Sequence, residues 1–353
     1  MKNNTMENSA SNPSIIQALQ VQAQQLLLII TQELGAQYFS EIVHQRIAQQ
    51  STEQTQDEHT QVVKTQGIKT QNIDNTYFQG LTRAQHPQFG HVMIKWQLSA
   101  DAYPIAFDLT HEVDVLAAIN ALSRIEDNAI SPPLLAHHCI NVQILEQPQK
   151  LVIVVMPYYS NGSLAGQLSD RNQRSLTASQ KHHFITQSAH LIANLHQAGW
   201  LHNDIKPSNI LLDTSCDSSL LNNAGASSLM PNLLLTDFAL AEMFNELKEG
   251  SPAGTPAYLA PERWQGKGAM VQSDIYAFGI MMVEILMGER PFKINKQSSD
   301  PMIDWATQHC QQPMPALPLE YSRYQCIVDK ALAKRVEKRY RSMDEVLEVL
   351  KSL

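Results

Sequence analysis

The chain has 353 residues, enough for one large two-lobed domain with an extension or for two domains. Its 34 acidic against 26 basic residues give a net charge of -8, which argues against a non-specific nucleic-acid binder, since that would need a basic face. Cys139, Cys216, Cys310 and Cys326 show no C-x-x-C spacing, so neither a zinc knuckle nor a disulfide framework is expected, and a reduced, cytoplasmic setting fits.

In chain order, residues 1–13 read as a disordered polar tail without the apolar core of a signal peptide. Ile15, Ile16, Leu19, Leu26, Ile29, Ile30, Leu34, Ile42 and Ile47 then recur at loosely helical spacing, which predicts helix to about residue 50, divided at Gly35. The apolar run Leu26 to Ile30 is far short of the roughly 20 residues a membrane-crossing helix needs, so no membrane span is expected. Two readings of this extension stay open: it packs on the domain that follows, or it offers a docking or dimerisation helix to a partner. Residues 51–61, STEQTQDEHTQ, read as a linker.

From Val62 the pattern turns to short β-like runs, among them HVMIKW at 91–96. In DLTHEVDVLAAINAL, residues 108–122, Val113, Leu116 and Ile119 form one helical face. KLVIVVMPYYSNGSL, residues 150–164, reads as a buried strand ending in an Asn-Gly turn. TASQKHHFITQSAHLIANLHQAGW follows as an amphipathic helix with Phe184, Ile185, Ala189, Ile192 and Leu195 on its apolar face. The pairs His137–His138 and His182–His183 are packing or surface residues in this reading, because sequence neighbours point apart and no third ligand is evident.

WLHNDIKPSNILL, Trp200 to Leu212, sets a polar run between apolar flanks, as a loop pinned at both ends and facing a cleft would. Its carboxylate (Asp204), ammonium (Lys206) and carboxamide (Asn209) lie within six residues. That set can take a proton from a hydroxyl, neutralise a phosphoryl oxygen and help hold a magnesium ion. A Ser- and Asn-rich insert, residues 213–231, leads to LLLTDFALAEMF, an apolar strand ending in Asp237, Phe238 and Ala239. GTPAYLAPE (Gly254 to Glu262), QSDIYAFGIMMVEILMGERPF and KRYRSMDEVL complete the series.

HNDIKPSNILL resembles the catalytic loop of the eukaryotic-type (Hanks-type) Ser/Thr protein kinases, H-R-D-x-K-x-x-N before apolar residues, and D-F-A resembles their D-F-G. GTPAYLAPE is similar to the end of their activation segment, and the resemblance is to a soluble bacterial member of the family. The resemblance covers about residues 62–353. It implies an α+β, bilobal protein-kinase fold: a small β-rich N-lobe with one key helix (about 62–156), a larger, mainly helical C-lobe (about 157–353), and an N-terminal tail, helical extension and linker at 1–61.

The same resemblance implies roles. Asp204 orients and deprotonates the acceptor hydroxyl, Lys206 steadies the moving phosphoryl group, and Asn209 with Asp237 holds Mg²⁺. Lys95 grips the ATP phosphates and is fixed by Glu112, with Asp114 as second choice. Met156 guards the back of the pocket, and the backbone of Pro157 to Tyr159 meets the adenine edge. Asp274 braces the catalytic loop, and Arg339 pairs with Glu262. Lys206 and Thr255 fit Ser/Thr rather than Tyr kinases, so ATP, Mg²⁺ and a protein substrate with a Ser/Thr acceptor are expected.

Four positions depart from the family pattern. The phosphate-covering stretch, Thr70 to Tyr77, has no glycine, and Asn72 and Asn75 fill two of those places because Asn tolerates left-handed backbone. Met93 replaces a small Ala, Ala239 replaces Gly, and Asn203 replaces Arg. Without a charge at Asn203, activity is expected not to require phosphorylation of the activation segment, where Ser251 and Thr255 are candidate sites. The alternatives are a pseudokinase acting as a nucleotide- or partner-binding module, and a small-molecule kinase, a class that generally lacks GTPAYLAPE.

Overall fold

The computed structural model describes residues 26–51, 76–100, 108–126, 129–144, 147–169, 176–214, 230–244, 253–294, 298–314 and 316–353. They fall into two compact units, one drawn from residues 1–51, 73–103 and 138–158 and the other from 52–72, 104–137 and 159–353. Among the described residues no helix is long and apolar enough to cross a membrane.

The first unit joins a helix, α1 (residues 26–36), to a five-stranded sheet of order β1-β2-β3-β5-β4. The strands are β1 (Ser40–Ser51), β2 (Thr76–His86), β3 (Gly90–Ala100), β4 (Ala136–Ile144) and β5 (Gln147–Pro157). On α1, Leu26, Ile30 and Leu34 recur every four residues and are buried as one stripe. On β3, Val92, Ile94, Trp96 and Leu98 alternate onto one buried face, opposite Met93 and Lys95.

A chain of neutral hydrogen bonds crosses this unit. Trp96 Nε1–H donates to Thr82 Oγ1 (3.0 Å), and the Thr82 hydroxyl meets His44 Nδ1 (2.8 Å). His44 Nε2 meets Thr31 Oγ1 (3.0 Å), and the Thr31 hydroxyl donates to the Leu27 carbonyl (2.7 Å). Because Thr31 spends its proton on Leu27, the series fits a neutral His44 protonated on Nε2. Burial lowers the His44 pKa, in the same sense. Gly80 permits the indole's approach: a Cβ there would lie 2.1 Å from Trp96.

Helix was expected to about residue 50, but it ends at residue 36, and Ser40–Ser51 is a strand antiparallel to Thr76–His86. Tyr38, at φ 67°, turns the chain out of the helix. Ile42, Val43 and Ile47 are β-branched, and the partner strand supplies the backbone bonds that a helix would have made internally. The expected division at 61/62 therefore separates β1 from the sheet it belongs to. Asn72, Asn75 and the linker 52–61 lie outside the described residues, while Thr76 and Tyr77, expected in the phosphate loop, already belong to β2.

The second unit contains α2 (Leu109–Glu126), α3 (Leu164–Leu168), α4 (Ala178–Gln197), α5 (Pro261–Trp264), α6 (Val271–Met287), α7 (Pro301–Gln311), α8 (Gln325–Ala331) and α9 (Met343–Leu350). Two short ribbons accompany them: β6 (Trp200–Leu201) pairs with β9 (Glu242–Met243), and β7 (Ile210–Asp213) with β8 (Asn232–Leu235). Thr177 opens α4 with a capping box through Gln180, and Phe184, Ile185, Ala189, Ile192 and Leu195 are buried as their spacing predicts. Helix α6 is buried on nearly every side and packs against α4 and α8. His182 meets the Tyr324 hydroxyl and His183 the Pro231 carbonyl, so these neighbours pack separately.

Candidate active site

The loop His202 to Asn209 is held from below by Asp274, on the first turn of α6 and 1% exposed. Its Oδ2 accepts the His202 backbone N–H (2.8 Å), its Oδ1 accepts that of Asn203 (2.9 Å), and His196 Nε2 lies 3.0 Å from Oδ2. Burial alone would raise the Asp274 carboxyl; the hydrogen bond and charge of His196, with His202, outweigh it and hold the pKa below the ordinary range. The brace expected of Asp274 is thus present. Asn203 sits at φ 65°, a left-handed conformation that Asn adopts more readily than most residues.

Asp204, 8% exposed, is the hub of the loop. Its Oδ1 accepts the Thr255 backbone N–H (3.0 Å) and the Thr255 hydroxyl (2.6 Å). Its Oδ2 accepts Lys206 Nζ (2.5 Å) and Asn209 Nδ2 (3.1 Å). Lys206 also donates to Thr255 Oγ1 (2.7 Å), and Asn209 Nδ2 to the Asp204 carbonyl (2.9 Å). Carboxylate, ammonium, carboxamide and hydroxyl are therefore one network, drawing Thr255 from a segment about fifty positions downstream. Gly254 fits where a Cβ would lie 3.1 Å from the Asn203 carbonyl, at a φ of 137° that side chains rarely adopt.

Ribbon β7–β8 brings Asp237 to the same loop. Ile210 pairs with Leu235, and the Thr236 N–H donates to the Asn209 carbonyl (3.0 Å), so Asp237 follows directly beside Asn209. At Asp237 the backbone turns through φ 67°, and the Phe238 ring comes 5.1 Å from that of the fully buried His202. Because Asn209 Nδ2 is committed to Asp204, the oxygen of the amide is the face left for a ligand, with Ser208 Oγ 3.5 Å from it. Carboxamide and carboxylate oxygens are donors that suit a hard divalent cation.

Downstream, Glu262 and Arg339 form a bidentate pair (2.8 and 2.7 Å), both nearly without exposure. Ser273 Oγ adds a bond to Glu262 at 2.7 Å, and these contacts overcome burial to hold the Glu262 pKa low. Tyr258 gives its hydroxyl to Glu284, and burial pushes both groups up. Beside Asp204 lies a small recess bordered by Thr255, Tyr258, Leu259, Ala260 and Arg263.

Lys95 is half-buried on β3, paired in register with Leu81 and Val154, and Met156 is buried on β5 opposite Met93. Both belong to the first unit. On α2, whose first turn is capped by Asp108, Glu112 is 1% exposed whereas Asp114 is exposed. At the expected adenine edge, the Tyr158 N–H donates to the His91 carbonyl and the Tyr159 carbonyl accepts from Gly162, each at 3.0 Å. Ser251 lies outside the described residues. Two contacts were missed: His111 Nε2 meets the Ala241 carbonyl (2.8 Å), and Asn203 Nδ2 donates to that of Leu240 (2.9 Å). Neither has a sequence signal, since both end on backbone.

Several known proteins are similar to this chain. The chain is 26% identical to the probable serine/threonine-protein kinase PknB of Lactococcus lactis over 64% of its own length and 34% of that protein's. It is 32% identical to the calmodulin-binding receptor-like cytoplasmic kinase 2 of Arabidopsis thaliana over 44% of its length and 36% of that protein's. It thus spans only about a third of these relatives. The solved structure of the Cydia pomonella granulovirus kinase PK-1 shares the fold at a TM-score of 0.58 and 18% identity, covering 92% of this chain and 97% of that one. The protein kinase domain matches residues 134–349, more than half of the sequence, and the chain belongs to that family.

Proposed function

We propose that the chain is an ATP-dependent protein kinase that transfers the γ-phosphoryl group to Ser or Thr hydroxyls of protein substrates. Membership of the protein kinase domain family implies ATP and a divalent metal. The observation that carries the reading is the convergence of Asp204, Lys206, Asn209 and Thr255 in one hydrogen-bonded network, with Asp237 beside it.

In this reading Asp204 orients the acceptor hydroxyl and takes its proton, a contribution of roughly 10²–10⁴-fold for general base catalysis. Lys206, already against Asp204, places positive charge where the transferred group gathers negative charge. Asn209 and Asp237 are the proposed Mg²⁺ ligands; two oxygen donors fit a cation that takes few protein ligands and completes its shell with phosphates and water. When bound, the metal would neutralise phosphate charge. Lys95 is the proposed phosphate-binding cation, Glu112 its proposed partner, and Met156 and Tyr159 the proposed nucleotide-pocket residues.

The proposed catalytic domain starts with β1 rather than at residue 62, because β1 is part of the sheet. The proposed setting is the cytoplasm, which suits the free thiols Cys139, Cys310 and Cys326. No nucleic-acid partner is proposed, in keeping with the net charge of -8. A partner on the N-terminal helix is retained as a proposal, resting on the exposure of Leu28 at 59%. The test is incubation with γ-labelled ATP and magnesium, wild type beside Asp237→Ala, scored for self-labelling and for labelling of generic basic proteins. Label that depends on Asp237 supports the kinase; nucleotide binding without label in either protein favours the pseudokinase.

A further inference from the structure

The start of the activation segment, residues 240–244, is gripped along its whole length. The Leu240 carbonyl accepts Asn203 Nδ2 (2.9 Å) from the catalytic loop. The next carbonyl, Ala241, lies 2.8 Å from His111 Nε2 on α2. Glu242 and Met243 then pair with Leu201 and Trp200, and the Phe244 N–H donates to the Gly199 carbonyl (3.1 Å). Ala241 has no exposure although His111 itself is exposed, and a carbonyl left without a donor there is costly. His111 immediately precedes Glu112, and Ala241 lies four positions past Asp237.

We propose that His111 is a positioning residue of the phosphoryl-transfer site, which seats the segment after Asp237 against α2 while Asn203 seats it against the catalytic loop, so that turnover does not wait on phosphorylation. This rests on the kinase reading above. Both donors belong to the chain as synthesised, and neither needs an added anion. A carbonyl accepts from neutral imidazole and from imidazolium alike, so the clamp survives protonation of the ring. A phosphate-reading arginine is absent at position 203, and the amide that replaces it does the seating directly.

The test uses the full chain, phosphatase-treated, with a generic basic protein as substrate. His111→Leu removes the donor; His111→Gln keeps an amide able to reach a carbonyl. The expected result is a roughly tenfold fall in kcat for His111→Leu with the substrate KM unchanged, and recovery of most of it in His111→Gln. Amide exchange at residues 240–244 should be slow in the phosphatase-treated wild type and faster in His111→Leu, a readout available even if one variant melts early. Equal kcat in wild type and His111→Leu overturns the proposal and leaves the kinase reading intact, as does an equal fall in both variants. Wild-type protection that appears only after phosphorylation overturns it too. A wild type that never labels substrate ends the kinase reading, and this inference with it.

Discussion

The two units are held by opposite kinds of polar bond. In the first, neutral groups run in series from Trp96 through Thr82, His44 and Thr31 to the Leu27 carbonyl. In the second, buried charges do the holding: Asp274 under the catalytic loop and Glu262 against Arg339. A neutral series costs little to bury but works in only one direction of donation, so it depends on one histidine tautomer. A buried charge carries a large desolvation penalty and persists only where a matched partner and further hydrogen bonds compensate it. The charged unit is therefore less tolerant of losing any single partner, and it is also the one that carries the candidate chemistry.

The largest effect expected is on activity. Asp204→Ala should lower turnover by roughly 10²–10⁴-fold while the protein still unfolds cooperatively, because the loop keeps its Asp274 brace. Steady-state phosphorylation beside a thermal melt checks it. Next comes Arg339→Met, which strands the Glu262 carboxylate and should cost about 3–5 kcal/mol in urea unfolding. Glu262→Gln added to it should recover part of the loss; failure to recover would mean that Arg339 acts mainly through its backbone carbonyl contacts and the Tyr276 ring.

Acid should weaken the second unit through one histidine. His309 is fully buried among Trp264, Tyr276, Phe292 and Trp305, and burial, with the charges of Lys334 and Arg290, pulls its pKa from 6.5 to about 3. The unfolded chain takes up a proton near pH 6.5 that the folded chain refuses. Stability is therefore full above that pH and falls by about 1.4 kcal/mol per unit as pH drops toward 3. In His309→Gln the slope of unfolding free energy against pH should be shallower over that window. The smallest effect belongs to the neutral series: Thr82→Val should cost roughly 1–3 kcal/mol and speed amide exchange in residues 26–36. A larger loss than that of Arg339→Met would reverse the comparison.

The contrast also explains how much could be read from the sequence. Asp204, Lys206 and Asn209 lie within six residues, so their network is nearly local and shows in the text of the chain. Thr255, Asp274 and Arg339 lie far away but inside runs whose order fits the kinase pattern. Strand β1 was misread because Ile42 and Ile47 continue the loosely helical spacing of the residues before them, and its partner lies beyond a connection of some two dozen residues. His111 on Ala241 and Asn203 on Leu240 were invisible because a carbonyl acceptor has no residue identity.

The sequence by itself determined the kinase family, the order of the catalytic segments and the residue types able to move a phosphoryl group, since each is encoded in short runs of contiguous residues. Only the tertiary structure decided where the sheet begins, which of Glu112 and Asp114 is buried, and how residues 240–244 are held. Those outcomes depend on strand pairing, burial and backbone acceptors supplied by distant parts of the chain, and no local pattern records them.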